Sequence, residues 1–313
     1  MQTLIAVLLF IAMVCVARIL ERKWPIAATP VAEVIEDWKL VGVNIALSVF
    51  LAPLAAVCSG VILSTLGRGW IHLPTHGYWY FVSLTILAVI SDLYKYTFHR
   101  LQHAIPFLWA MHSFHHSANA LTFVTGGRHL WMERVLSSAI LPIIPILFLV
   151  PPDMQILVSF IVLFPDTCAH LNVRFPMGPM ITVVNSPQWH RIHHSALPEH
   201  RDKNFAALLP LWDILFGTAW IPKPDEYPVT GLDPQVRVSI VEGVIWPFRN
   251  HPWTVVVLRR WRALMIVPER WLRGHVRPSI PAINSGSKPG LPVVRTARAG
   301  ADRDDRGQVL GIN

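Results

Sequence analysis

The sequence predicts an all-α integral membrane protein. The expected architecture is a helical bundle of about three spans plus a proline-broken helical hairpin, carrying a histidine-rich site for two metal ions. Three observations lead there. The 313 residues are 53% hydrophobic and only 15% charged, against about 25% charged in soluble domains, and the mean hydropathy is +0.43. The apolar residues gather in runs long enough to cross a bilayer. Eight of the 15 histidines fall in three short boxes.

Residues 1–17 carry no charged side chain and are followed by Arg18, Glu21, Arg22 and Lys23. A secretory signal places its positive charge before the apolar run. Here the charge follows, so residues 2–20 read as an uncleaved span. Residues 33–39 are polar and are expected at the surface, and 41–63 form the second span. Residues 65–77, with Gly67, Gly69, Pro74 and Gly77, read as a loop before a third span at 78–98. About 20 residues at ~1.5 Å each match a hydrocarbon core of ~30 Å.

The third span runs into the first box, HRLQH, with His99 and His103. Asp92, Tyr96, His99 and His103 fall on one stripe of a helix. Asp92 is thus placed to accept the free ring N–H of a ligating histidine. Alternatively it pairs with Lys95 at i+3. The second box, HSFHH, holds His112, His115 and His116, and WHRIHH repeats its spacing with His190, His193 and His194. Residues three and four apart share a helix face, so each box is a clamp of imidazoles. Imidazole suits iron, zinc, copper and nickel. Eight rings exceed what one tetrahedral zinc uses, so the count points to two ions. Solvated surface histidines are the plain alternative, and the repeated spacing argues against it.

Residues 121–133 are more polar and include Arg128, His129 and Glu133. Residues 135–164 are apolar but carry Pro142, Pro145, Pro151 and Pro152. The Pro151–Pro152 pair breaks a helix, which predicts two shorter helices in a hairpin that enters the bilayer and returns. His170 follows Asp166 at the exit of that hairpin, on the side of the boxes. Charge bias agrees with this arrangement. Arg18, Arg22, Lys23 and Lys39 lie between spans one and two, and Arg68 alone lies between two and three. The positive-inside rule then puts the metal site on the cytoplasmic face of a multi-pass protein.

Residues 204–218, NFAALLPLWDILFGT, read first as core packing and alternatively as packing against the site or lining a lipid entrance. Residues 251–273 mix tryptophan and arginine, as in an interfacial helix on anionic lipid or a packed basic helix. From Pro278 onward the composition is that of a disordered tail. The domain division is 1–77 for the N-terminal helices and loop, 78–222 for the catalytic domain, 223–277 for a basic interfacial segment and 278–313 for the tail. The net charge of +8 sits among tryptophans and valines and gives no nucleic-acid surface. Cys15, Cys58 and Cys168 have neither metal nor disulfide spacing.

With DLYKYTFHRLQH, LWAMHSFHHS, CAHLNVRFP, SPQWHRIHHS and DKNFAALLPLWDILFGT in this order, the chain resembles the fatty acid hydroxylase superfamily, also called the sterol desaturase family, across residues 92–220. The resemblance implies a membrane bundle with a cytosolic cap, and two iron ions per chain with O2 as co-substrate. The ligands it implies are His99, His103, His112, His115, His116, His170, His190, His193 and His194. It further implies hydroxylation or desaturation of a membrane lipid of sterol, fatty acyl or ether-lipid class that enters from the bilayer. Electrons would come from an external ferredoxin or cytochrome, since no GxGxxG fingerprint is present. Two departures stand out. Fatty acid 2-hydroxylases carry a histidine where this chain has Arg174, which counts against that branch. The family's Asn-Tyr/Phe-Gly is here Asn204-Phe205-Ala206, a difference of one methyl group. Two readings compete. A zinc-dependent membrane hydrolase would need a glutamate base, and neither HExxH nor a clear glutamate beside the boxes is visible. A non-catalytic metal carrier would place ionisable residues deep in several spans.

Overall fold

The computed structural model describes residues 2–140, 143–232 and 236–250. The chain divides into two compact units, Met1–Ile266 and Val267–Asn313, and the described residues all lie in the first. The expected interfacial helix at 251–273, the tail at 278–313 and most of the 223–277 segment lie outside the described residues.

Long helices come first, as the apolar runs dictate. Helix α1 spans Gln2–Lys23, α2 spans Val31–Leu66 and α3 spans Tyr78–Ala104. Both α2 and α3 have the length and composition of a membrane span. Helix α2 differs from expectation, because polar residues 33–39 are its first two turns rather than a surface segment. Its 36 residues reach about 54 Å, well past a ~30 Å hydrocarbon core. The extra turns serve the cap: Asp37 accepts from the Arg128 guanidinium at 2.9 Å, and the Asn44 side chain accepts from the Trp131 backbone. Beyond them α2 turns outward Val49, Phe50, Leu54, Val57 and Val61, all exposed. Such a stripe is costly in water and natural in lipid.

Helix α4 (Pro106–His116) follows α3 with a single residue between them. Ile105 is extended, the conformation a following proline enforces, and Pro106 starts the new helix, where its missing N–H costs nothing. The hairpin is built from α5 (Trp131–Ile140), α6 (Ile143–Leu147) and α7 (Pro152–Cys168). Its outgoing leg is thus in two pieces, and Pro152 opens the returning one. Its tip reaches the far end of the bundle. There β1 (Ile71–His72), in the loop between α2 and α3, pairs in parallel with β2 (Phe148–Leu149). Leu87, Phe148, Met154 and Val158 form the core of that end, and Trp70, Tyr78 and Trp79 are exposed around it, as in an interfacial aromatic belt.

At the other end the short helices gather: α8 (Pro187–His193), α9 (Leu211–Leu215) and α10 (Ile240–Asn250). Leu40 of α2, Met111 and Phe114 of α4, Leu130, and Trp246 of α10 form the core that fixes the cap to the bundle.

Candidate metal centre

Each box owes its position to a local device. The last turns of α3 carry His99 and His103, and the turn at Ile105–Pro106 folds α4 back so that His112, His115 and His116 face them. The short α8 is capped by Ser186, whose Oγ accepts from the Trp189 N–H. That bond satisfies one of the free amides of the first turn and sets His190, His193 and His194 in register. His170 follows the end of α7.

The structure brings all nine sequence-predicted rings together, in two groups. His99, His103, His112, His116 and His193 form one, and His115, His170, His190 and His194 the other. Within a group the candidate ligand atoms lie within 4.8 Å of one another. The groups adjoin, with the His116 and His194 rings stacked at 4.4 Å.

Oxygen acceptors behind the rings fix their tautomers. Nδ1 of His99 donates to the Phe205 carbonyl at 2.9 Å, that of His115 to Arg128 at 3.3 Å, that of His170 to Asp166 at 2.9 Å and that of His193 to Lys203 at 2.7 Å. Nδ1 of His112 donates to the Glu133 carboxylate at 3.0 Å, and that of His103 to Asp202 at 3.2 Å. A carbonyl only accepts, so in a neutral ring Nε2 keeps a bare lone pair. Yet Nε2 of His99 lies 3.0 Å from Nε2 of His112, and Nε2 of His115 lies 3.1 Å from Nε2 of His170. Each contact sets two lone pairs against each other with no proton between them, one contact in each group. A cation held by both nitrogens satisfies that arrangement. Nε2 of His193 is also buried without a partner. The donor set therefore fits two imidazole-held metal ions.

Protonation points the same way. Burial holds His115, His116, His190 and His194 well below the usual imidazole range, with the neighbouring rings adding to the effect. It brings His170 to about 4 and His193 to about 3. Neutral imidazole is the form that binds a metal.

Two residues of this site carry no box signature. His129 and Glu133 form a third group with His112. Oε1 of Glu133 accepts from Nδ1 of His112, Nδ1 of His129 and the Gln102 side chain, while Oε2 is buried without a partner. Burial raises the Glu133 carboxyl, but His129 and His112 outweigh it and hold it well below the usual range. A glutamate therefore does lie beside the boxes, contrary to the sequence reading. The available signal was the i, i+4 spacing of His129, just before α5, and Glu133 in its first turn.

Asp92 is a second correction. It is fully buried but touches no histidine and does not pair with Lys95. Its oxygens accept from the backbone N–H of Leu208 at 3.0 Å and Leu209 at 3.1 Å and from the Trp212 indole at 2.8 Å. Lys95 pairs with Asp166 instead. Asp213 repeats the device, taking the N–H groups of Phe205 and Ala206 and the Thr218 hydroxyl. The two aspartates thus fix the 204–218 segment whose Phe205 carbonyl orients His99. That segment supports the site rather than serving as core alone.

The departures also have locations. Ala206 is fully buried, and among the described residues positive φ occurs at Asp202 and Asn204 but not there, so the backbone does not require glycine. The Arg174 side chain turns outward to Asp225 and Tyr227 and adds nothing to the histidine groups.

A cavity of about 400 Å³ leads away from the rings. His99, His112, His115, His170 and His190 close one end, and Leu87, Ile144, Val150 and Val158 line the other. From His99 back to Leu87, α3 spans about 18 Å, so the cavity runs along the membrane-spanning helices rather than out into the cap.

A helical membrane bundle with a buried poly-imidazole site at one end and an apolar cavity beneath it defines a class of membrane metalloprotein. Residues 84–218 match the fatty acid hydroxylase family model, consistent with the fatty acid hydroxylase superfamily. Among curated proteins, the alkylglycerol monooxygenase of Danio rerio is 29% identical over 209 residues, covering 64% of this chain and 46% of the relative. The human alkylglycerol monooxygenase is 31% identical over 127 residues, covering 41% and 28%. Ornithine lipid hydroxylase OlsE of Rhizobium tropici is 25% identical over 182 residues, covering 58% and 55%. The chain thus spans about half the length, or less, of the curated relatives it matches. No solved structure matches it. Family and histidine cluster together point to a bound metal.

Proposed function

We propose that this protein is an O2-dependent, di-iron lipid hydroxylase of the membrane. The carrying observation is the convergence of nine inward-facing imidazoles on the closed end of a cavity that runs along the spans. The family match and relatives named as monooxygenase and hydroxylase support oxidation over other metal chemistry, and hydroxylation over desaturation.

His99, His103, His112, His116 and His193 would hold one iron, and His115, His170, His190 and His194 the other. When bound, the two irons supply the reduction of O2 and the attack on an unactivated C–H bond. The chain's own residues do the rest. The carbonyls of Phe205, Arg128, Asp166 and Lys203, with Glu133 and Asp202, fix the rings with Nε2 inward. The buried rings stay neutral and available to metal, and the apolar lining takes the lipid chain and excludes water. Electrons come from a ferredoxin- or cytochrome-type donor on the cytoplasmic face, the side that the charge bias favours for the site.

The unpartnered Glu133 Oε2 beside His112 and His129 favours a second reading, zinc-dependent hydrolysis, and one experiment separates the two. Protein purified from iron-replete cells is expected to contain close to two irons and to consume O2 in step with oxidised lipid. One metal per chain, or turnover that survives complete iron removal, would exclude the di-iron reading. His103→Ala, His115→Ala and His193→Ala are each expected to lose both metal and turnover.

A further inference from the structure

Arg134 lies one residue beyond Glu133, at the metal end of the cavity it helps to line. Its Nη2 donates to the Gly127 carbonyl. Its Nε is buried without a partner, and no carboxylate pairs with it among the described residues. The same side chain also borders a second cavity of about 200 Å³, between the small residues Ser48, Ala52, Ala55 and Ser59 of α2 and the start of α5.

Among the other charged groups lining the main cavity, both members of one pair and one oxygen of Glu133 are already engaged. Lys95 pairs with Asp166, and Oε1 of Glu133 is shared by His112, His129 and Gln102. One turn beyond Arg134, the Ser137 side chain also lines the cavity. A half-buried guanidinium whose Nε is sealed from solvent and which has one carbonyl partner is costly to keep, and ionisable groups at membrane depth mark binding sites. Arginine is also the side chain whose planar fork matches phosphate and carboxylate.

We propose that Arg134 binds the phosphate or carboxylate of the lipid substrate, with Ser137 beside it. This rests on the lipid-oxidising reading and narrows it to lipids with an anionic head. The head sits at the metal end, and the chain extends toward Leu87, Ile144 and Val158. The occupant is a lipid rather than a free anion, because the cavity beyond Arg134 is lined mostly by apolar surface of the spans.

The test measures equilibrium binding to the detergent-solubilised full chain, metal-loaded, with two probes of equal acyl length: a lysophosphatidic acid and a monoacylglycerol. Arg134→Gln is expected to bind the phosphate lipid about 10- to 100-fold more weakly, the usual weight of a charged hydrogen bond, with little change for the neutral lipid. Arg134→Lys should fall between the two, and iron content should match wild type in both variants, reporting an intact fold. Equal losses for both probes, or none for either, would overturn the proposal. So would displacement of the lipid by inorganic phosphate as readily as by unlabelled lysophosphatidic acid. The readout is binding, so it stands apart from turnover. Binding and oxidation of lysophosphatidic acid that Arg134→Gln leaves untouched would keep the hydroxylase reading and remove this one.

Discussion

Asp92 carries a negative charge at the centre of a helix and spends it on two backbone amides and one indole, more than 110 residues away in the chain. Asp92→Asn keeps the shape but sets an NH2 against these donors. Leaving a buried donor unmet costs about 1–3 kcal/mol. The expected result is a lower thermal midpoint and faster proteolysis at 205–212, with lower turnover per bound iron through the Phe205 carbonyl behind His99. Glu133→Gln differs, because Glu133 meets His112 and His129 directly. Losing such a partner typically costs about 10–100-fold in metal affinity or activity. Iron titration compared with thermal melting distinguishes them: Glu133→Gln is expected to weaken iron binding at near-normal stability, and Asp92→Asn to do the reverse. Matching profiles would mean that the two carboxylates share one role.

Among elements, the hairpin and the 67–77 loop decide how the far end closes. Gly69 sits at φ +70°, and a Cβ there would lie 2.9 Å from the Leu149 Cβ. Gly69→Val combines a left-handed backbone, which costs a branched residue about 1–2 kcal/mol, with a backbone-level clash against β2. It should lower the unfolding temperature while iron content per folded chain stays at the wild-type value, because the histidines occupy the opposite end. Iron loss in proportion to that destabilisation would show that the two ends are not independent. At the cap end the coupling runs the other way. The first turns of α2 reach Arg128 through Asp37, and the Arg128 carbonyl accepts from His115, so a membrane helix braces a ligand ring.

For the whole molecule, orientation and acidity give two measurements. The boxes and His170 lie at one end of the helices, and the charge bias predicts that this end faces the cytoplasm. In a cysteine-free background, Arg100→Cys and Glu199→Cys, both exposed at the histidine end, should resist membrane-impermeant thiol reagents in intact cells. Arg68→Cys, exposed at the other end, should react. Reaction at either cap position without lysis would invert the topology. Acidification tests the buried rings. His170 and His193 have folded values of about 4 and about 3, below an unfolded value near 6.5. The unfolded chain therefore binds more protons between those limits, and folding stability falls as pH drops. Metal-stripped protein should hold its full stability above about pH 6.5 and lose it progressively toward pH 4 and 3. A melting temperature that is flat over this window would mean that the rings are not buried as a group.

The sequence by itself determined the long helices, the break at Pro151–Pro152 and the eight histidines of the boxes, because these depend on short-range quantities: runs of apolar residues, one proline ring, spacings of three and four; the lone His170 was marked by its place after the hairpin and by the resemblance. Only the tertiary structure decided what stands behind the rings. The acceptors are mostly backbone carbonyls, at Phe205, Arg128, Asp166 and Lys203, and a carbonyl has no residue type to read. The partners of Asp92 could not be found from its helical stripe for the same reason: i+4 and i+7 spacing lists neighbours on one helix, whereas a buried carboxylate takes its donors from whatever chain packs against it. Glu133 and Arg134 were two polar residues at the start of a hairpin until α3, α4 and α5 closed around them and made one an acceptor for histidines and the other a cation inside the cavity.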